Sequence, residues 1–153
     1  MAEEFPKLLQ VVLDTTDARG LAEFYRQLLG WQYQPGDEPP PPGQPDPNAE
    51  EWLVLRDPAG TSRIGFQPVA ALAKATWPEG PIPQQLHLDL MVGSKEQLEA
   101  HHRRALSLGA KVLHDRSDDA QEPLRVYADL AGHPFCLFTW ILPPGRTLDE
   151  FSI

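Results

Sequence analysis

A histidine and an aspartate stand two residues apart in the apolar stretch QLHLDLMV, at residues 85–92. Alternate residues of a β-strand point to the same side of a sheet, so His87, Asp89 and Met91 are predicted to share one face. A histidine beside a carboxylate can act as a general base. It can equally be a structural histidine whose ring is satisfied by a neighbouring group, because residues i and i+2 of a strand need not contact each other. The sequence leaves both interpretations open.

The elements that must position this pair occur twice in the chain. The first half is predicted as a strand, a helix and three strands, at residues 8–14, 17–30, 31–34, 51–56 and 63–67. The second half repeats this order at residues 85–92, 94–109, 111–114, 124–129 and 135–140. Asp17 and Ser94 are typical helix N-caps, and the turn sequences DPAG and DLAG join the last two strands of the two halves. The pattern predicts a duplicated β-α-β-β-β module.

Composition excludes several function classes. The net charge of −9 leaves no basic face for nucleic acid, and no apolar run reaches the roughly 18 residues of a membrane helix. The N-terminus MAEEFPK has no apolar signal core, and Cys136 is a single cysteine, so we expect a cytoplasmic protein without a disulfide.

Proline clusters divide the chain. Residues 35–47 contain four consecutive prolines and are predicted as a long, semi-stiff loop. We expect one domain over residues 1–153, made of module one at about 8–68, a linker at about 69–84, module two at about 85–141 and a C-terminal tail at 142–153.

Four segments together resemble the glyoxalase-like proteins of the vicinal oxygen chelate superfamily, which includes the bleomycin-resistance proteins and extradiol dioxygenases. They are DARGLAEFYRQLLG at 17–30, QQLHLDL at 84–90, LSLGA at 106–110 and DLAGHPFCL at 129–137. The resemblance implies an α+β fold of two tandem βαβββ modules, whose strands form a U-shaped, cupped mixed sheet with the helices outside. Strand alternation then directs Gln10, Val12 and Asp14 inward; Leu9, Val11, Leu13, Leu86, Leu88 and Leu90 are directed toward the helices.

The resemblance also implies where a metal would bind. The metal-ligand positions of the family fall on Gln10, Gly65, His87 and Cys136. Gly65 has no side chain and Cys136 replaces a carboxylate, so we expect no catalytic metal and no other cofactor. The alternative is a divalent ion, such as zinc, at Gln10, His87 and Cys136.

We therefore expect a protein that binds a small, partly apolar molecule, as the bleomycin-resistance proteins do. The ligand-binding residues are predicted to be Gln10, Val12, His87, Asp89, Met91, Cys136 and Phe138. The first alternative is an enzyme, a lyase or isomerase in which His87 and Asp89 or a metal are catalytic, and the second is a module that only dimerises. Arg63 and Arg125 are further candidates as polar anchors, and the resemblance favours a homodimer.

Overall fold

The computed structural model describes residues 4–147 of the chain. The chain divides into two compact units, Met1–Leu72 and Ala73–Ile153. The boundary falls inside the predicted linker of residues 69–84.

The first unit contains one helix and one four-stranded sheet. In chain order the elements are β1 (Val11–Thr15), α1 (Ala18–Leu29), β2 (Gln32–Tyr33), β3 (Leu53–Arg56) and β4 (Arg63–Pro68). The strand order in the sheet is β1-β4-β3-β2, with β1 parallel to β4 and the other pairs antiparallel. This is the predicted βαβββ order.

The second unit repeats the first. Its elements are β5 (Leu88–Met91), α2 (Lys95–Ser107), β6 (Lys111–Arg116), β7 (Leu124–Ala128) and β8 (Pro134–Phe138). The strand order is β5-β8-β7-β6, and again only the first and last strands of the unit run parallel. The identical order and directions confirm the predicted tandem βαβββ modules.

Both helices begin at the predicted caps. The Asp17 carboxylate accepts a hydrogen bond from the Gly20 amide at 2.9 Å, and the Ser94 hydroxyl accepts one from the Gln97 amide at 3.2 Å. Gly30 ends α1 with a φ of 68°, a left-handed conformation that favours glycine. The predicted apolar face of α1 is buried, and it consists of Leu21, Phe24, Tyr25 and Leu28.

Two strands begin later than the sequence predicts. The ladder between β1 and β4 begins at the pair Val11–Ile64, and the ladder between β5 and β8 begins at the pair Leu88–Phe135. The predictions that Leu9 and Leu86 pack under the helices are therefore wrong, since these side chains lie before the paired segments and are 62% and 53% exposed. Strand bounds depend on a distant partner strand, which local sequence does not reveal.

Each unit has its own apolar core between helix and sheet. In the first unit the largest fully buried side chains include Tyr25, Leu53 and Phe66. In the second, the Tyr127 and Phe135 rings stack at 5.1 Å and the Tyr127 hydroxyl lies 2.9 Å from His102 Nδ1 on α2. Within residues 4–147, neither helix has the length and apolar character needed to cross a bilayer.

Strand β6 is the edge of the second sheet. All of its residues, Lys111–Arg116, are exposed. The register with β7 shifts between Val112 and His114, which marks a bulge. The His114 ring lies 5.2 Å from the Trp77 ring, between centroids.

The proline-rich loop is held against α1 by one arginine. Arg19 Nε donates to Asp46 Oδ2 at 2.7 Å, and Arg19 Nη1 donates to the Asp37 carbonyl at 2.6 Å. The guanidinium carbon also lies 4.9 Å from the Tyr33 ring centroid. The Asp37 carboxylate accepts from the Val54 amide at 2.9 Å, which ties the loop to β3. The loop is therefore anchored at both a helix and a strand.

Candidate functional site

The two sheets place the predicted metal-ligand positions at equivalent sites. Gly65 of β4 pairs with Val12 of β1, and Cys136 of β8 pairs with Asp89 of β5. Gln10 precedes Val12 by two residues, as His87 precedes Asp89. In each unit these residues lie on the sheet face opposite the helix, which we call the helix-free face.

Three side chains converge on the helix-free face of the second unit. The possible ligand atoms of His87, Asp89 and Cys136 all lie within 4.8 Å of one another. His87 Nε2 is 3.4 Å from Asp89 Oδ1, and the two side chains are 45% and 60% exposed. Cys136 is buried behind them. The structure thus brings together the predicted residues of this unit that carry polar chemistry.

The Cys136 thiol is held in its neutral form. Burial raises the pKa of Cys136 to about 12, and the nearby carboxylates of Asp89 and Glu122 raise it in the same direction. A thiol with this pKa is a poor nucleophile, because only its thiolate reacts. Burial therefore favours Cys136 as an uncharged residue at the floor of the site.

Apolar side chains border the polar group. Met91 of β5 and Phe138 of β8 pair with each other on the same face, and Met91 is 39% exposed. The Phe138 and Trp140 rings contact edge to face at 5.4 Å. Trp140 Nε1 donates to Glu122 Oε1 at 3.1 Å. The sequence did not point to Glu122, because it lies in the loop before β7, where no strand periodicity indicates a direction.

Gly65 does not fit a metal site in the first unit. A Cβ added to Gly65 would lie 2.9 Å from Trp52 Cζ2, 3.1 Å from Gln10 Nε2 and 3.4 Å from Val12 Cγ2. The space that a metal-binding side chain would use is therefore filled by the Trp52 ring and the Gln10 amide. With a glycine at one position and a protonated thiol at another, the four residues do not match the metal set that the family resemblance implies.

The two arginines suggested as anchors have partners of their own. Arg125 lies on the α2 side of the second sheet, where it contacts Glu99 at 2.8 Å and Asp115 at 2.9 Å. Arg125 is therefore not available as an anchor beside His87, contrary to the sequence-based suggestion. In the first unit, Arg63 Nη1 donates to Gln34 Oε1 at 3.3 Å.

A cavity of about 400 Å³ lies elsewhere in the first unit, beside the proline-rich loop. It is lined by Arg26, Trp31, Gln32, Tyr33, Glu38 and Pro39. None of these residues was predicted to bind the ligand.

Tandem βαβββ modules with chemistry on the helix-free faces define a protein of the vicinal oxygen chelate superfamily. A family model described as glyoxalase-like domain matches residues 10–138. The chain belongs to this glyoxalase-like family.

Solved structures share the fold at low sequence identity. The fosfomycin resistance protein FosX from Listeria monocytogenes is 16% identical, with a TM-score of 0.63 over 91% of this chain and 97% of that chain. FosX from Mesorhizobium loti is 11% identical, with a TM-score of 0.62 over 97% and 100%. A glyoxalase/bleomycin resistance protein/dioxygenase family enzyme from Burkholderia phytofirmans is 17% identical, with a TM-score of 0.63 over 87% and 98%. The comparison with curated proteins gives no match.

Proposed function

We propose that the chain binds a small, partly apolar molecule and does so without a catalytic metal. The observation that carries this proposal is the helix-free face of the second unit, where His87 and Asp89 stand exposed beside the apolar side chains of Met91 and Phe138. Ligand sites typically combine a mostly apolar surface with a few polar anchors. Here the anchors are His87 and Asp89, and Cys136 forms the floor between them.

The first unit carries two further residues that were predicted to bind a ligand. Gln10 and Val12 lie beside Gly65 on its helix-free face, next to the Trp52 ring, which is 41% exposed. A primary amide and an exposed indole ring suit an uncharged, partly aromatic portion of a ligand.

Substitution of His87 tests the proposal. We expect His87→Ala to weaken the binding of a confirmed ligand by about 1 kcal/mol, or roughly fivefold in Kd, because one polar contact is lost at a half-exposed position. A ligand is first found by thermal-shift screening with aromatic antibiotics, catechols and aldehyde–thiol adducts, and its affinity is then measured by calorimetry.

The matched control is His101→Ala, a half-buried histidine of α2. This variant should bind the ligand as the parent protein does. Equal affinities of the parent and a folded His87→Ala variant would move the site away from this face.

An enzyme of the same superfamily is the second candidate function. The observation in its favour is the proximity of imidazole, carboxylate and thiol donors within 4.8 Å, which are groups that a zinc ion accepts. Such an ion would have to displace the thiol proton, so its binding would strengthen with rising pH. A purified chain with about one equivalent of transition metal, and with a lyase or isomerase activity that a chelator abolishes, would favour this candidate.

A further inference from the structure

We infer that the ligand of this site carries a positive charge, as an organic ammonium or a similar cation attached to an apolar or aromatic body. The inference rests on the proposed function and names the class of molecule that the same face would select. It follows from the charge of the second unit's helix-free face and from the aromatic rings beside it.

Two carboxylates lie on this face, and the His87 ring is the basic group recorded beside one of them, Asp89. The Asp89 carboxylate lies within 4.8 Å of the Cys136 thiol, and the Glu122 carboxylate lies 3.1 Å from the Trp140 indole nitrogen, beside Phe138. Across residues 4–147, none of the ion pairs joins Asp89 or Glu122 to a lysine or an arginine. The Asp89 carboxylate lies near the His87 ring, and the Glu122 carboxylate accepts from the Trp140 indole.

A ligand that covers this face removes water from both carboxylates. Removing water from a carboxylate costs free energy when no opposite charge replaces the water. A cation placed between the two carboxylates offsets that cost. A neutral apolar ligand would have to leave at least one carboxylate hydrated, and an anion would be repelled by both. The charges therefore select among ligands that fit the face equally well.

The aromatic rings favour the same class. Phe138 and Trp140 meet edge to face at 5.4 Å, and both side chains are only half-buried. An ammonium group within about 6 Å of a ring face gains a cation–π attraction. The rings and Met91 also provide an apolar surface for the body of the ligand.

This chemistry differs from that of two structural neighbours. These proteins are fosfomycin resistance proteins, and one FosX structure holds manganese and a dihydroxypropylphosphonic acid. A phosphonate needs cationic groups, but Arg125 lies on the opposite face and is paired with Glu99 and Asp115. Similarity of fold therefore does not imply similarity of ligand.

The test compares three probes of similar shape on the full chain. They are 2-phenylethylamine, which is protonated at pH 7, neutral 2-phenylethanol and anionic 3-phenylpropanoate. Affinities are obtained from amide chemical shifts in NMR titrations at fixed ionic strength, which also show where each probe binds. We expect the amine to bind at least about tenfold more tightly than the alcohol, with shifts at Asp89, Cys136 and Phe138. We expect the propanoate and fosfomycin to cause no shifts at these residues.

Isosteric variants show whether the two carboxylates cause the preference. Asp89→Asn and Glu122→Gln keep the side-chain shape, and each should reduce the preference for the amine by roughly fivefold. Glu79→Gln removes the same charge at an exposed position in a loop and should leave the preference unchanged.

The outcomes separate the two proposals. Equal binding of amine and alcohol at these residues, or tighter binding of propanoate or fosfomycin, would overturn the inference and leave ligand binding at this face standing. Failure of all three probes to shift these residues would count against the inference and the proposed function together.

Discussion

The chemistry of single residues is clearest at Cys136, whose thiol is buried beside the Asp89 carboxylate. Its pKa rises from an ordinary value of 9.0 to about 12. Because the folded-state pKa lies above the unfolded value, the protonated thiol contributes stability below about pH 9, and this contribution is lost as the pH rises toward 12. Alkaline conditions should therefore destabilise the second unit through this residue.

Alkylation measures the same property. At pH 8 we expect iodoacetamide to modify Cys136 in the folded protein at least about a hundredfold more slowly than in denaturant, because both burial and the raised pKa lower the available thiolate. Mass spectrometry at timed intervals gives the two rates. Similar rates in both states would show an accessible, ionisable thiol and would favour the metal-binding alternative.

Strand alternation predicted part of the site at this scale. His87, Asp89 and Cys136 could be brought together from the sequence because each lies in or next to a strand, where orientation follows a period of two. Glu122 could not be positioned, since it lies outside β7. Trp140 was the last residue of the predicted strand 135–140, whereas β8 ends at Phe138. Arg125 was misassigned because its long side chain pairs with charges of α2 and β6 that are distant in sequence.

At the scale of elements, local sequence predicted the helices better than the strands. The caps Asp17 and Ser94 act within three residues of themselves, so their signal is contained in the sequence next to them. The first residues of β1 and β5 depend on where β4 and β8 begin to pair, which is a long-range property. The stiffness of the proline-rich loop was expected, but its anchor Arg19 was not.

Removal of that anchor should loosen the loop. Arg19→Ala deletes the contacts to Asp46 and the Asp37 carbonyl, so we expect hydrogen exchange at residues 34–52 to become roughly tenfold faster. Arg103→Ala is the control, since it removes an exposed arginine from α2 of the other unit. Exchange rates measured by mass spectrometry that are the same in Arg19→Ala and the parent would show that the prolines alone hold the loop.

At the scale of the whole molecule, the duplication was predicted from the sequence and is confirmed by the matching strand orders of the two units. The prediction succeeded because the helix caps, the turn sequences and the order of elements all repeat. Each of these features can be recognised from a short stretch of sequence. The description as a single domain of two modules stays a prediction, as does the cytoplasmic location.

A homodimer is the prediction that belongs to this scale. It came from the family resemblance and from surplus aromatic residues, and in the first unit the adjacent side chains of Leu8 and Leu9 are both exposed. Apolar groups gathered at the surface are typical of interfaces. Light scattering at micromolar concentration should give about twice the chain mass of 17.1 kDa. A value near the chain mass itself would contradict the prediction.

The bulged edge strand β6 bears on how the protein avoids aggregation. An open sheet edge can recruit further strands and start a fibril, and flat, apolar edges do so most readily. In β6 the bulge between Val112 and His114 interrupts the regular spacing of hydrogen-bonding groups, and Lys111, Asp115 and Arg116 add charges at its ends. An incoming strand could pair with only a short part of β6. The bulge and the charges therefore disfavour edge-to-edge assembly through β6.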